Sequence, residues 1–482
     1  MKRDKLLQRW SGVYLSALFL LLPLWLHRGY FDITETKTVL FAALTLLYLA
    51  GVLFGLLAGG SGGRRPGRGA LLFALFAALN ILSSLLFGGR DALLAANNRY
   101  QGVGMWLLYA AMVCALSAGG KFGKWQARTA LGAFALVSLL CVLNALYIDP
   151  LGTAVGLRSA DRSRYLSTIG NVNFIGAYVS LLLPLAMGLF CLGRSRRELW
   201  LRGGVCLLGA GALLVGSDCG ILGVLSAAVL LPWLLRRESR ALRRLPWLLL
   251  LFAAALPLFG RLLERGIGLS ALGRLLSSLP VAAGLALLGG ALLLFARRQT
   301  DEALSALAGN YPVLPAALLL GGGVFLLLGN TLLRDRLPAS IARWTVFSGS
   351  WGSDRGAIWG HCLALYGSFG PLRKLIGGGA GCLARYDALH RLFPDAIIDS
   401  AHNEYLHYLL TSGALGLGAW LGALAAALRR VLSPEGEDAA LLCAVAGCAV
   451  QGVVNIAQCT TTPLFFALLA LLWGSRGGRE DS

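Results

Sequence analysis

Residues 171–193, NVNFIGAYVSLLLPLAMGLFCLG, carry no charged side chain over their whole length. About 20 apolar residues, rising 1.5 Å each, cross the hydrocarbon core of a bilayer. Inside that core every backbone N–H and C=O must be satisfied within the segment, which a helix achieves. The stretch therefore predicts a membrane-crossing helix. Arg164 precedes it, and Arg194, Arg196 and Arg197 follow it.

The same pattern recurs on both sides. Apolar blocks at 11–27, 38–59, 69–88, 102–119, 128–148, 200–216, 219–235, 245–263, 277–296, 313–333, 403–428, 438–456 and 461–475 each predict a helix. The chain reads as all-α, a polytopic transmembrane helix bundle of about 14 spans. The two blocks between 200 and 235 are separated only by Ser217-Asp218 and form a helical hairpin. Residues 1–333 hold the first eleven spans. Residues 334–402 form one large extracytoplasmic loop with the chemistry-bearing elements. Residues 403–482 hold the last three spans and a cytoplasmic tail.

Composition agrees. Of 482 residues, 57% are hydrophobic and only 14% charged, against roughly 25% charged in a soluble domain. Lys plus Arg is 43 and Asp plus Glu 23, a formal charge of +20. In a soluble chain that excess would point to nucleic acid. Among apolar blocks it orients helices instead, because basic residues collect in cytoplasmic loops. The implied partner is the lipid bilayer, with no nucleic acid.

With the N-terminus inside and the spans alternating, the inner segments hold 25 of the 43 basic residues, Arg64, Arg65, Arg68, Arg236, Arg243, Arg244, Arg430, Arg476 and Arg479 among them. The expected location is the cytoplasmic (inner or plasma) membrane, multi-pass, with both termini cytoplasmic. Eight outer basic residues lie in 334–400. Long loops are exported regardless of charge, or these residues face an anionic ligand. Lys2, Arg3, Lys5 and Arg9 resemble the start of a signal peptide, but no small-x-small cleavage site follows, so the first helix reads as retained.

The ten cysteines show no C-x-x-C pair and no metal-ligand spacing. Most act as small hydrophobes. Cys362 and Cys382 share the outer loop, where a disulfide stays open. No helix centre carries Asp, Glu, Lys or Arg, which weighs against an ion-coupled transporter. Asn80, Asn144 and Asn455 are the main polar residues inside spans and are expected to bond neighbouring helices.

Three constellations carry chemistry, all on the predicted outer side. The first is Asp399-Ser400-Ala401-His402-Asn403-Glu404-Tyr405-Leu406-His407. His402 stands where the chain enters the membrane and suits proton transfer near neutral pH. Asp399 or Glu404 is near enough in sequence to orient it. The plain alternative is an interfacial His that only hydrogen-bonds. The second is Ser353-Asp354-Arg355-Gly356-Ala357-Ile358-Trp359. Arg355 and Trp359 share one helix face. Arg355 grips a phosphate, stacks on Trp359 or snorkels to the interface. Gly377-Gly378-Gly379-Ala380-Gly381 follows, read as a flexible turn in preference to a phosphate cradle. The third is Arg164-Tyr165-Leu166-Ser167-Thr168-Ile169-Gly170-Asn171-Val172-Asn173, with Arg158 and Arg162 nearby. Asn171 and Asn173 either cap the next helix or, with Arg164, help form an anion site at its N-terminus.

Together, Arg355…Trp359…Gly377–Gly381…His402-Asn403-x-Tyr405-Leu406 and Arg164-x-x-Ser167-Thr168-x-Gly170-Asn171-x-Asn173 resemble the O-antigen ligase and polymerase superfamily of bacterial membrane glycosyltransferases. The resemblance runs from about 100 to 475. It implies a glycosyltransferase fold of the membrane C type (GT-C). It also implies a glycan donor on undecaprenyl diphosphate and a glycan, lipid or protein acceptor, with inversion and with neither metal nor other cofactor. Carried over, His402 is the catalytic histidine, and Arg355 and Arg164 bind the donor diphosphate. Asn403, Tyr405, Trp359, Asn171, Asn173 and Asp399 support them.

Two positions depart from the family. Ser217-Asp218-Cys219-Gly220 stands where a Ser-Arg-Gly turn is usual, so the missing cation comes from Arg343 or Arg158, or the donor is held differently. Asn171-Val172-Asn173 stands for Asn-Pro-Asn. The competing readings are a transporter or flippase of a lipid-linked or anionic envelope precursor, and a membrane scaffold.

Overall fold

The computed structural model describes residues 2–58, 65–89, 92–93, 100–393, 398–432 and 436–474. Arg64, Arg476 and Arg479 lie outside the described residues.

The chain is mostly helical. It runs through α1 (Lys2–Leu24), α2 (Ile33–Leu57), α3 (Arg68–Phe87), α4 (Val103–Gly119) and α5 (Lys124–Ala145). Then come β1 (Tyr165–Leu166), β2 (Gly170–Asn171), α6 (Val172–Cys191), α7 (Arg196–Val215) and α8 (Asp218–Leu234). Next are the short α9 (Ser239–Leu242), α10 (Leu245–Leu263), α11 (Ala271–Leu276), α12 (Leu279–Arg298), α13 (Asp301–Asn310) and α14 (Val313–Asn330). The large loop carries α15 (Ala339–Thr345), α16 (Trp351–Ser368), α17 (Pro371–Ile376) and α18 (Asp387–Leu392). The chain ends with α19 (Glu404–Leu432), α20 (Asp438–Gln451) and α21 (Thr461–Trp473).

Among the described residues, ten helical segments are long and apolar enough to cross a membrane, and four more apolar helices are shorter. All fourteen expected blocks fall on these helices. Leu287, Val313 and Leu320 are more than two thirds exposed. Large apolar side chains displayed along whole helices mark a lipid-facing surface.

The central helix is α6, almost wholly buried between α7, α8 and α20. The same core continues where α3, α4, α19 and α21 meet. There Phe73 and Phe466 pack edge-on at 4.7 Å, and Phe76 and Tyr408 at 4.9 Å. This aromatic cluster fixes the first turns of α19, and so the chain just after His402.

Arginines on the predicted inner side close helix C-termini, where carbonyls lack partners and the dipole is negative. Arg243 bonds the carbonyls of Ala296 and Gln299 at the end of α12. Arg244 bonds those of Cys191 and Gly193 at the end of α6. Arg430 bonds those of Leu472 and Gly474 at the end of α21. These arginines therefore close helix ends.

Two helix boundaries correct the expectation. First, α2 begins at Ile33, which draws Lys37 inside a helix and fully buries it. Its Nζ donates to the carbonyls of Leu22 at 2.7 Å, Pro23 at 3.0 Å and Trp25 at 3.2 Å. The end of α1 thus supplies the partners that make a buried cation tolerable. Second, α20 stops at Gln451, so Asn455 lies in the turn before α21. Gly452 and the β-branched Val453 and Val454 are weak helix formers, and the Gly452 carbonyl is taken by the Glu404 N–H at 2.8 Å.

The glycine run 377–381 is not a flexible turn. Gly377 (φ +92°) and Gly413 (φ +71°) meet backbone to backbone. A Cβ on Gly377 would lie 2.3 Å from the Thr411 carbonyl, and one on Gly413 2.3 Å from the Leu375 carbonyl. The N–H groups of Gly378 and Gly379 bond the carbonyls of Leu410 and Thr411. They are spent on a kink in α19 and cannot cradle phosphate. Arg385 ties the same run to the end of α3 through the Phe87 and Gly88 carbonyls. Cys362 and Cys382 are both free thiols, and burial pushes them up to about 12 and about 11.

Candidate functional site

The third and first constellations meet. β1 and β2 pair antiparallel with Tyr165 opposite Asn171, which puts both side chains on one face. That face looks into a cavity of about 290 Å³. Asn173 and Phe174, in the first turn of α6, line it too. His402 closes it from the end of the large loop, and Asn455 and Ile456 from the turn before α21. The remaining wall is Tyr30, Ile33 and Thr34, at the start of α2. The cavity is built from helix ends and the connections between them.

Each wall is pinned. Asn171 caps α6, its side-chain oxygen accepting the Asn173 N–H at 2.8 Å. Tyr30 is locked by its hydroxyl, which donates to the Ser167 carbonyl at 2.8 Å and lies 3.0 Å from the Thr153 hydroxyl. Asn455 donates to the Asn173 carbonyl at 3.0 Å and to Gln451 at 2.8 Å, and lies 3.1 Å from the Cys219 sulfur. His402 has φ +50°, a left-handed conformation disfavoured for a residue with a side chain. Such strain persists only where surrounding contacts impose it, and it clusters at functional sites.

The contacts that impose it flank His402. Trp359 donates its indole N–H to the Ala401 carbonyl at 3.0 Å. Asn403 caps α19, accepting the Leu406 N–H at 3.0 Å. Tyr405 donates to the Ala449 carbonyl at 2.8 Å, fastening α19 to α20.

Arg355 comes from the other end of the Trp359 face. It follows a turn of three left-handed residues, Gly352, Ser353 and Asp354. Its electrostatic neighbours are Cys219 and Asp218, at the α7–α8 hairpin tip. Burial lowers the guanidinium from the ordinary arginine value, and Cys219 and Asp218 offset part of that shift. Its Nη1 bonds the Gly352 carbonyl at 2.6 Å, while Nε is buried with no partner among the described residues. An orphaned buried donor on a cation suits an anionic ligand.

The hairpin tip itself sits on α6. Ser217 donates its N–H to the Val172 carbonyl at 3.2 Å, and a Cβ on Gly176 would lie 2.7 Å from the Ser217 hydroxyl. Among the described residues, Arg355 is a cation whose charge acts on Cys219 and Asp218 of this turn. Arg158 is exposed and paired with Asp161 at 3.0 Å, and the side chain of Arg343 lies outside the described residues.

Other expected residues fall elsewhere. The Arg164 side chain is exposed and does not line the cavity; only its backbone takes part, accepting the Val172 N–H at 2.9 Å. Asp399, Glu404 and His407 line a separate small cavity of about 30 Å³ with Asn80 and Thr411, room for about one water. Sequence reading passed over Tyr30, Thr34 and Tyr165. Tyr165 lay inside a quoted motif, but nothing local marks Tyr30 and Thr34 beyond their place at the predicted outer end of a span.

The fold and site define a polytopic helical membrane protein with a polar cavity among its helix ends and an arginine at the adjoining hairpin tip. No known family model, curated protein or solved structure matches the chain.

Proposed function

We propose that this protein is a membrane glycosyltransferase of the O-antigen ligase or polymerase kind, with a GT-C-type fold. It moves a glycan from an undecaprenyl-diphosphate-linked donor to an acceptor at the outer face of the cytoplasmic membrane. The observation that carries this reading is the meeting of His402, Asn171 and Asn173 in one cavity, with Trp359 linking that cavity's rim to the helix of Arg355.

An acceptor hydroxyl attacks the anomeric carbon of the donor sugar. The new C–O bond forms as the bond to the diphosphate oxygen breaks, so configuration inverts. His402 takes the hydroxyl proton. Arg355 meets the negative charge growing on the leaving diphosphate. Diphosphate is itself a competent leaving group.

The test is glycan transfer in cells making the cognate surface polysaccharide, comparing wild type with His402→Ala and Arg355→Ala at matched membrane levels. Loss of product with accumulation of lipid-linked donor is expected for both variants. A transporter of the same precursor would tolerate loss of His402 better than loss of Arg355. Wild-type transfer by His402→Ala would overturn the reading. Product chain length separates ligase from polymerase.

A further inference from the structure

We propose that the His402 cavity is a saccharide subsite. One sugar ring packs on Tyr165 and is read by the amides of Asn171, Asn173 and Asn455, while the diphosphate lies outside the cavity at Arg355. The inference rests on the glycosyl-transfer reading and adds which ligand part goes where.

Charge is the first argument. No Lys, Arg, Asp or Glu side chain lines the cavity. A diphosphate needs guanidinium, ammonium or free helix N–H groups. Arg164 points elsewhere, and the Asn173 N–H at the α6 terminus is already taken by Asn171. Arg355, whose buried Nε has no partner among the described residues, lies beside the hairpin tip.

The hydrogen-bonding inventory is the second. Asn171 spends its oxygen on the helix cap, leaving its NH₂. Asn455 spends both N–H groups of its NH₂ on Asn173 and Gln451, leaving its oxygen. The Asn173 carboxamide makes no hydrogen bond among the described residues. Donor, acceptor and both together thus converge. Sugar hydroxyls each donate and accept and so complement this set.

Shape is the third. Tyr165 leans on Tyr30 at 5.6 Å between ring centres and 38° between planes. Tyr30 is fixed by its two hydroxyl contacts, so Tyr165 is backed by a rigid support. A pyranose ring has an apolar C–H face that buries well on an aromatic ring. The 290 Å³ volume lies just below the roughly 300–1,000 Å³ of small-ligand pockets, suiting a single ring with the rest of the glycan outside.

The test uses the full chain in lipid nanodiscs and saturation-transfer NMR. The probes are methyl glycosides of neutral hexoses and N-acetylhexosamines, with inorganic pyrophosphate as the charged control. At least one glycoside should receive saturation. Tyr165→Ala should weaken it about tenfold, Asn173→Ala should weaken it too, and Tyr165→Phe should retain it. Arg355→Ala should leave the glycoside signal and abolish pyrophosphate binding, which is followed by broadening of the pyrophosphate phosphorus resonance.

No glycoside signal, a signal indifferent to Tyr165→Ala, or displacement of the glycoside by pyrophosphate would overturn the proposal. Adding lipid-linked donor identifies the ring: displacement assigns the pocket to the donor sugar, retention to the acceptor, and either supports a saccharide subsite. The two readings fail separately. If His402→Ala transfers normally while glycosides still bind through Tyr165, transfer falls and the subsite stands. If transfer needs His402 but no glycoside binds, the subsite falls alone.

Discussion

The indole N–H of Trp359 donates to the carbonyl of Ala401 at 3.0 Å, one residue before His402. Because Trp359 lies one helical turn after Arg355, a single bond links the frame of the proposed phosphate cation to that of the proposed base. Trp359→Phe keeps most of the bulk and removes the donor. A hydrogen bond contributes about 1 kcal/mol net, so transfer should fall roughly fivefold with membrane levels unchanged. Transfer rates at matched expression check this, and an unchanged rate would show that the bond does not position His402.

The left-handed backbone at His402 (φ +50°) separates conformation from chemistry. His402→Ala and His402→Gly both lack the imidazole and should both abolish transfer. Only glycine adopts this conformation freely. The glycine variant should therefore be the more stable of the two by about 1 kcal/mol, read as a higher midpoint of thermal unfolding in detergent. Equal midpoints would mean the strain is absent.

Lys37 closes the end of α1 with three charge-assisted bonds. It lies one turn from Ile33 and Thr34, two lining residues of the cavity. Lys37→Met fits the space but leaves three carbonyls short of a donor. The expected cost is about 2–3 kcal/mol, seen as a lower unfolding midpoint. Transfer should fall less steeply than in His402→Ala, because Lys37 does not line the cavity.

Most of the helical plan was legible in the sequence, because membrane spans follow from unbroken apolar length. The misplaced ends have local causes. Lys37 reads as a boundary residue until the carbonyls of Leu22, Pro23 and Trp25 are seen to receive it. Asn455 reads as part of a span until the break at Gly452 is seen. In the site, His402, Asn171 and Asn173 could be singled out because polar residues at span ends are conspicuous. Tyr30 could not, since its role depends on bonds to Thr153 and Ser167, more than a hundred residues away. Nor could the sequence bring Arg355 near Cys219 and Asp218, which only the packing of the loop on the hairpin tip creates.

The glycine contact between Gly377 and Gly413 sets the last prediction. The two residues occupy left-handed conformations and touch backbone to backbone, so a methyl group at either meets carbonyl atoms that cannot rotate away. Gly377→Ala must force apart the glycine run and the kink in α19, breaking the bonds from Gly378 to Leu410 and from Gly379 to Thr411. Overpacking and positive-φ strain together cost about 2–4 kcal/mol. Because α19 begins right after His402, the disturbance should reach the site. Gly377→Ala should lower both the unfolding midpoint and transfer. Gly360→Ala is the control, since a Cβ there meets open space and alanine favours the helix; it should match wild type in both measurements. Wild-type behaviour of Gly377→Ala would show that the loop does not dock on α19 through this contact.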